Sequence, residues 1–219
     1  MLFASGRDRP GRSSATAESS SDSTLRAASR MWRIGPIPFT AFALLEKAMA
    51  HVIRVVRWEE LSPAQKNDVE NLKISDQQIE YAGPTHRAVA ACASDVTGDV
   101  QGAAIFDGDV TVGFLVLKRR AANPSWASTE AAVISALRID LRFQGLGIGT
   151  AALQYLPEWL SIYWPDTTSI MLSVDEENEV GRRSYAKAGW VDLGTREKGR
   201  IGWVRYMKRD LHAVSSAPD

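Results

Sequence analysis

Apolar positions become regular only after about residue 51. The run HVIRVVRW at 51–58 is rich in β-branched residues and predicts a strand. LSPAQKNDVENLKI follows it; Ser62 sits as an N-cap with Pro63 at the first helical position, so this run predicts a helix. SDQQIEYAGPTHRAVAACAS reads as a loop and then a helix of small residues. In QGAAIFDGDVTVGFLVLKR two apolar runs flank Asp107 and Gly108, a hairpin signal. EAAVISALRI predicts a long strand, TAALQYLPEWL a helix and SIMLSVD another strand. ENEVGRRSYAKAG predicts a helix closed by Gly189 just past its end, and WVDLGTREKGRIGWVRYMKRDL a pair of strands around EKGR. The order β-α-α-β-β-β-α-β-α-β-β describes a mixed α/β domain with an antiparallel start. Pro157 falls inside the helix after the long strand, removes a hydrogen bond to Leu153, and predicts a kink or an early end.

The remainder of the chain lacks this periodicity. Residues 1–30 are rich in Ser, Arg, Ala and Gly, and RSSATAESSSDST has the composition of a disordered segment. Residues 31–50 read as a short surface helix or as sequence outside any domain. MWRIGPIPFTAFALLEKAMA has the outline of a weak secretory signal, but one set behind thirty polar residues, which argues against that use. The expected organisation is an extension over 1–48, one domain over 49–212 and a tail over 213–219.

Charge and composition exclude several classes. Twenty-six basic residues balance 26 acidic ones, so the excess that marks a nucleic-acid surface is missing. No apolar run approaches the ~20 residues of a membrane span. Cys92 is the single cysteine, which rules out an internal disulfide and suits a reducing, cytoplasmic setting. The three histidines are scattered and no metal-binding spacing occurs, so no metal site is expected.

The candidate chemistry lies in RIDLRFQGLGIGT, Arg138–Thr150, where three glycines alternate between the long strand and a helix. Such a junction lets backbone N–H groups approach a phosphate at a helix N-terminus. A Walker A loop is excluded, because no lysine follows the last glycine. A dinucleotide loop stays open as an alternative, although its third glycine is replaced by Thr150. A glycine-rich turn with no ligand is a further alternative.

The segment Gln144–Gly149, QGLGIG, matches the Q-x-x-G-x-G signature and resembles the GNAT superfamily of acyl-CoA-dependent N-acetyltransferases. ALRIDLRFQGLGIGTAAL is similar to that family's fourth strand, pyrophosphate loop and third helix, LSVDEENEVGRRSYAKAGWVDLG to its fifth strand and fourth helix, and VTVGFLVL to its third strand. The resemblance spans about residues 52–211 and implies a mostly antiparallel central sheet flanked by helices, with splayed fourth and fifth strands. It implies that Gln144, Gly145, Leu146, Gly147, Ile148, Gly149 and Thr150 cradle the pyrophosphate of acetyl-CoA. The backbone of Leu137, Arg138 and Ile139 would pair with the pantetheine arm like an added strand, and Asn178 would touch the cofactor. Tyr185 falls seven residues after Asn178, on nearly the same helix face, and matches the family's general acid. Gly181 stands where the family has Ala, at a cost of ~1 kcal/mol in helix propensity.

The base is the weak point of the resemblance. Some relatives carry a Glu within the fourth strand, where this chain has Val133. Glu130 is the nearby candidate, but strand parity puts it on the side of Arg138 and Asp140 unless a bulge redirects it. The implied activity is direct transfer of an acetyl group to a primary amine of a small molecule or peptide, since no cysteine lies in a motif for an acetyl-enzyme. SDQQIEYAGP resembles a diamine and spermidine branch, and a polyamine would require at least two of Glu59, Glu60, Asp76 and Glu80 to converge on the site. A non-catalytic acyl-CoA-binding domain of the same fold is the contrasting expectation. The fold often forms homodimers, and the oligomeric state stays open.

Overall fold

The computed structural model describes residues 51–211; the expected extension over 1–48 and the tail over 213–219 lie outside the described residues. Seven strands form one sheet: β1 (Ile53–Arg57), β2 (Val100–Asp107), β3 (Val110–Lys118), β4 (Ala131–Ile139), β5 (Ser169–Asp175), β6 (Val191–Lys198) and β7 (Trp203–Asp210). Their order across the sheet is β1-β2-β3-β4-β5-β7-β6, and every neighbouring pair is antiparallel except β4 and β5. Five α-helices cover the faces: α1 (Pro63–Glu70), α2 (Asp76–Ala82), α3 (Thr85–Ala93), α4 (Ile148–Tyr163) and α5 (Glu179–Lys187).

Each face of the sheet has its own apolar core. Leu153, Leu156, Trp159 and Leu160 of α4 pack on Val55, Leu115 and Ile170. Val69 of α1 and Val89 and Cys92 of α3 pack on Trp58, Phe106 and Phe114 of the other face. The α1 start is set by a capping box, in which Ser62 and Gln65 satisfy each other's backbone N–H.

The β4–β5 pairing is short. It runs from Ala131↔Ser169 to Ile134↔Leu172 and then stops, so the strands separate over the rest of β4. A bulge marks the point of departure: Leu117 pairs with Ile134 and Val116 with Ala136, which leaves Ser135 unpaired. The extra residue reverses the alternation. Ala132 and Ile134 therefore share the α4 face with Leu137 and Ile139, while Ala131 and Val133 pack with Met171 on the opposite face. The uninterrupted parity that grouped Glu130 with Arg138 does not hold.

Two further expectations are corrected. The segment read as a loop contains α2, capped by the Ser75 hydroxyl, which accepts from the Gln78 N–H at 3.2 Å, and ended by Gly83 at φ 72°. It fully buries no residue, so no apolar periodicity announced it. α4 does not end at Pro157 but continues to Tyr163. The Leu153 carbonyl, which Pro157 cannot serve, accepts from Arg209 Nη1 of β7 at 3.3 Å. Arg209 Nη1 also donates to the Ala188 carbonyl at 2.9 Å, tying α4, β7 and the end of α5 together.

Candidate active site

A cavity of about 580 Å³ opens where β4 and β5 part. Its walls are the exposed edge of β4 at Leu137 and Ile139, the glycine loop with the first turn of α4, one face of α5, and α2. The backbone edge follows from register. The Asp140 N–H donates to Val112 of β3 at 2.9 Å, so by alternation Arg138 also turns its backbone toward β3, opposite Phe114. Leu137 and Ile139 turn theirs toward the gap. Arg138, expected to contribute its backbone there, does not.

The glycine loop is held in an unusual shape. Gly145 and Gly147 have φ of 76° and 82°, values that side chains disfavour. A Cβ at either would meet no protein atom within 4 Å, so both backbones border open space. Gly147 is the N-cap of α4 and supplies no side-chain cap, leaving the first N–H groups of a 16-residue helix without a side-chain partner. Gly149 has a different role: its Cα packs toward Ile139, whose Cγ1 lies 3.6 Å from where a Cβ would stand. Ile148 is buried beneath the loop and Thr150 borders the cavity, whereas Leu146 is 52% exposed and lies off the lining.

Asp140 anchors this loop. Its carboxylate, 0% exposed, accepts from the Lys73 N–H at 3.0 Å, from the Arg142 N–H at 3.0 Å and from Arg142 Nε at 2.9 Å. The bond from the Arg142 side chain, with the backbone donors adding to it, holds Asp140 down at about 2. The 3₁₀ turn Leu141–Phe143 that Asp140 caps leads directly into the glycines. This role was not among those expected from the sequence; its signal was an Asp two residues before an Arg at the end of a strand. Gln144 borders the cavity, with its amide already committed: Nε2 donates to Gln78 Oε1 at 2.8 Å and to the Ile139 carbonyl at 2.9 Å.

On the facing wall, Asn178 and Tyr185 both border the cavity. Asn178 caps α5, its Oδ1 accepting from the Gly181 N–H at 2.9 Å. A Cβ at residue 181 would sit 2.8 Å from that amide, so the glycine leaves room for the cap. Tyr185 is half-buried beside Trp190, and burial pushes its phenol up to about 12. It therefore stays protonated throughout the working pH range. Arg183 and Lys187 also border the cavity and were not singled out from the sequence.

Glu130 does not join the cluster. It is exposed, precedes β4 at the end remote from Leu137 and Ile139, and does not border the cavity. Glu59, Glu60, Asp76 and Glu80 do not line it either; Glu60 pairs with Arg57 at 2.6 Å and Glu59 accepts from Gln101 at 3.0 Å. The carboxylates on the lining are Glu177 and Glu179. Behind them, burial pushes the Asp175 carboxyl above its usual range; Arg200 opposes that shift, and Glu80 and Glu177 add to it. Among the described residues no group of three or more His, Cys, Asp or Glu side chains could hold a metal ion, and no helix is long and apolar enough to cross a membrane.

The site is thus a mixed sheet split at its parallel pair, with an uncapped helix N-terminus on one wall of the split and a tyrosine on the other. Residues 66–190 match the acetyltransferase (GNAT) family, and the chain belongs to that family. It is 31% identical over 102 residues to an uncharacterized N-acetyltransferase, YbbJ, of Bacillus subtilis (strain 168), a match covering 45% of this chain and 62% of that relative's length. Among solved structures it resembles the aminoglycoside acetyltransferase AAC(6')-Ib bound to paromomycin and acetyl-CoA, with a TM-score of 0.60, 15% identity, and 76% of this chain and 98% of the other covered. It also resembles the spermidine N-acetyltransferase of Vibrio cholerae bound to CoA and spermine, with a TM-score of 0.56, 15% identity, and 73% and 95% covered. At those identities the likeness establishes the fold alone.

Proposed function

We propose that this protein moves the acetyl group of acetyl-CoA directly to a primary amine of a small molecule or peptide. One observation carries the reading: the uncapped N-terminus of α4, the open edge of β4 and Tyr185 border a single cavity. The residues fit the donor. Gly145 and Gly147 present backbone to open space at a helix N-terminus, which suits a pyrophosphate. The backbone of Leu137 and the N–H of Ile139, which turn toward the gap, suit the amides of a pantetheine arm, and Arg183 and Lys187 add positive charge to the opposite wall.

Acetyl-CoA supplies the activated thioester when bound. The chain then has three tasks. A β4 N–H beside Leu137 stabilises negative charge on the carbonyl oxygen. Tyr185, protonated at neutral pH, donates a proton toward the departing sulfur. The attacking amine must be neutral, although a free alkylamine with a pKa near ~10 is almost wholly protonated at pH 7. Glu130 lies outside the cavity and is not placed to take that proton, whereas Glu177 is a carboxylate on the lining. A reducing compartment suits the buried thiol of Cys92, and the cytoplasm is our proposed place of action.

The relatives act on chemically different amines, so the acceptor is best sought by a panel: kanamycin, spermidine and a peptide with a free N-terminus. Release of CoA with any of them supports transfer. Tight acetyl-CoA binding with no turnover across a wide panel would favour the non-catalytic alternative, and binding of NAD in its place would refute both.

A further inference from the structure

Once the β4 edge, the glycine loop and α5 are assigned to the donor, the remaining wall of the cavity is α2, with Ser75, Gln77, Gln78 and Tyr81. This wall is held differently from the rest of the fold. α2 has no fully buried residue and is fastened by polar contacts. Lys73 at its approach exchanges hydrogen bonds with Asp140 and Leu141, at 3.0 and 2.8 Å. Gln78 is bound by Gln144 of the loop at 2.8 Å, and Arg200 of the β6–β7 turn donates to the Glu80 carbonyl. At the far end, Arg138 Nη2 donates to the carbonyls of Ala82 and Gly83 at 2.8 and 3.1 Å.

Arg138 is the unexpected member of this set. It lies between Leu137 and Ile139 on β4, is 0% exposed, and has no carboxylate partner among the described residues. Its Nε and Nη1 have no hydrogen-bond partner among the described residues. A buried cation left this poorly paired is a net cost to the fold, and apolar replacements of buried charges are often neutral or stabilising. Among the described residues, the polar contacts of its side chain all grip the end of α2. We infer that Arg138 is a positioning residue for the acceptor amine, locking α2 to the strand whose free edge receives the donor.

The inference rests on the acetyl-transfer reading, and its test has one arm that does not. Arg138→Met keeps the length and apolar packing while removing the grip. Native-state hydrogen exchange of the full chain should show the segment 75–84 exchanging about tenfold faster in R138M, with β2, β3 and β4 unchanged. The melting temperature should not fall. With the panel amine that the wild type acetylates best, KM for the amine should rise about fivefold, with KM for acetyl-CoA and kcat near wild type. Arg138→Lys, which keeps a donor, should recover part of both effects. Equal exchange in the segment 75–84, or faster exchange throughout the sheet, would overturn the inference by making Arg138 ordinary core packing. An unchanged amine KM beside a loosened α2 would overturn it too. If the wild type acetylates no amine, the transfer reading fails and the exchange arm alone decides whether Arg138 holds α2. Should R138M not fold, R138K takes the same measurements; failure of both to fold counts against the inference.

Discussion

Replacing Asp140 by Asn tests whether one carboxylate organises the approach to the glycine loop. The side chain is fully buried and takes its hydrogen bonds from Lys73 and Arg142. Its pKa falls from 3.8 to about 2, with the Arg142 side chain as the main cause. At 1.36 kcal/mol per unit this difference is worth about 2 kcal/mol of stability at pH 7. Asn has one acceptor oxygen, so one of the two backbone N–H donors would face an amide NH₂, adding about 1–2 kcal/mol. The total, about 3–4 kcal/mol, should lower the melting temperature by roughly 6–16 °C for a domain of this size. The sign of the pH dependence is fixed. A carboxyl whose pKa is depressed by folding stabilises the native state above its unfolded pKa and loses that contribution as pH falls through the folded one. The gap between wild type and D140N should therefore be constant from pH 7 to about 5 and lose about half of its charge-dependent part by pH 3. Thermal or urea melts across that range measure it. A gap absent at pH 7, or one that widens on acidification, would refute the role given to Asp140.

Tyr185→Phe should lower kcat by ~10²–10⁴-fold and leave acetyl-CoA affinity nearly unchanged, as stopped-time assays and a thermal shift with the donor would report; wild-type turnover would remove the phenol from the chemistry. Gly147→Val should abolish the melting shift with acetyl-CoA, otherwise worth about 2.7 kcal/mol at a hundredfold excess over Kd, because φ of 82° disfavours valine and its side chain would project into the open space before α4. A retained shift in that variant would place the donor elsewhere. Pro157→Ala restores an N–H for the Leu153 carbonyl and should raise stability by about 1–2 kcal/mol in urea unfolding, after allowance for the greater freedom of the unfolded chain; a loss would mean that the Arg209 tie is worth more than the helix bond.

The parts of this site that were legible in the sequence are those fixed by local chemistry. Gly145 and Gly147 could be read because glycines cluster where a strand meets a helix N-terminus, and their positive φ suits glycine; Asn178 and Tyr185 were reached through the resemblance to the GNAT family, with their spacing of seven consistent with one helix face. What was missed depends on pairing between distant segments. The bulge at Ser135 exists only in the register between β3 and β4, and no property of Ser135 itself announces it. It changed the face assigned to Glu130. α2 had legible caps in Ser75 and Gly83 but no apolar stripe, since polar tethers hold it. Pro157 was read correctly as a broken hydrogen bond, but the partner that replaces it, Arg209, comes from the last strand of the domain.

The brief contact between β4 and β5 has a mechanical consequence. A sheet is normally stiff across its strands because each ladder runs their whole length, yet here four residue pairs join the first four strands to the last three. The seam is the shortest ladder in the sheet; if the sheet bends, it should bend there. α4 spans it on one face and packs on both sides, so the seam is braced along one surface and free along its open end. A molecule lying along the gap and hydrogen-bonding to the β4 edge would act as a splint, replacing the missing part of the ladder. Slower amide exchange on both banks of the seam when donor binds, without change in the outer strands, would be its mark.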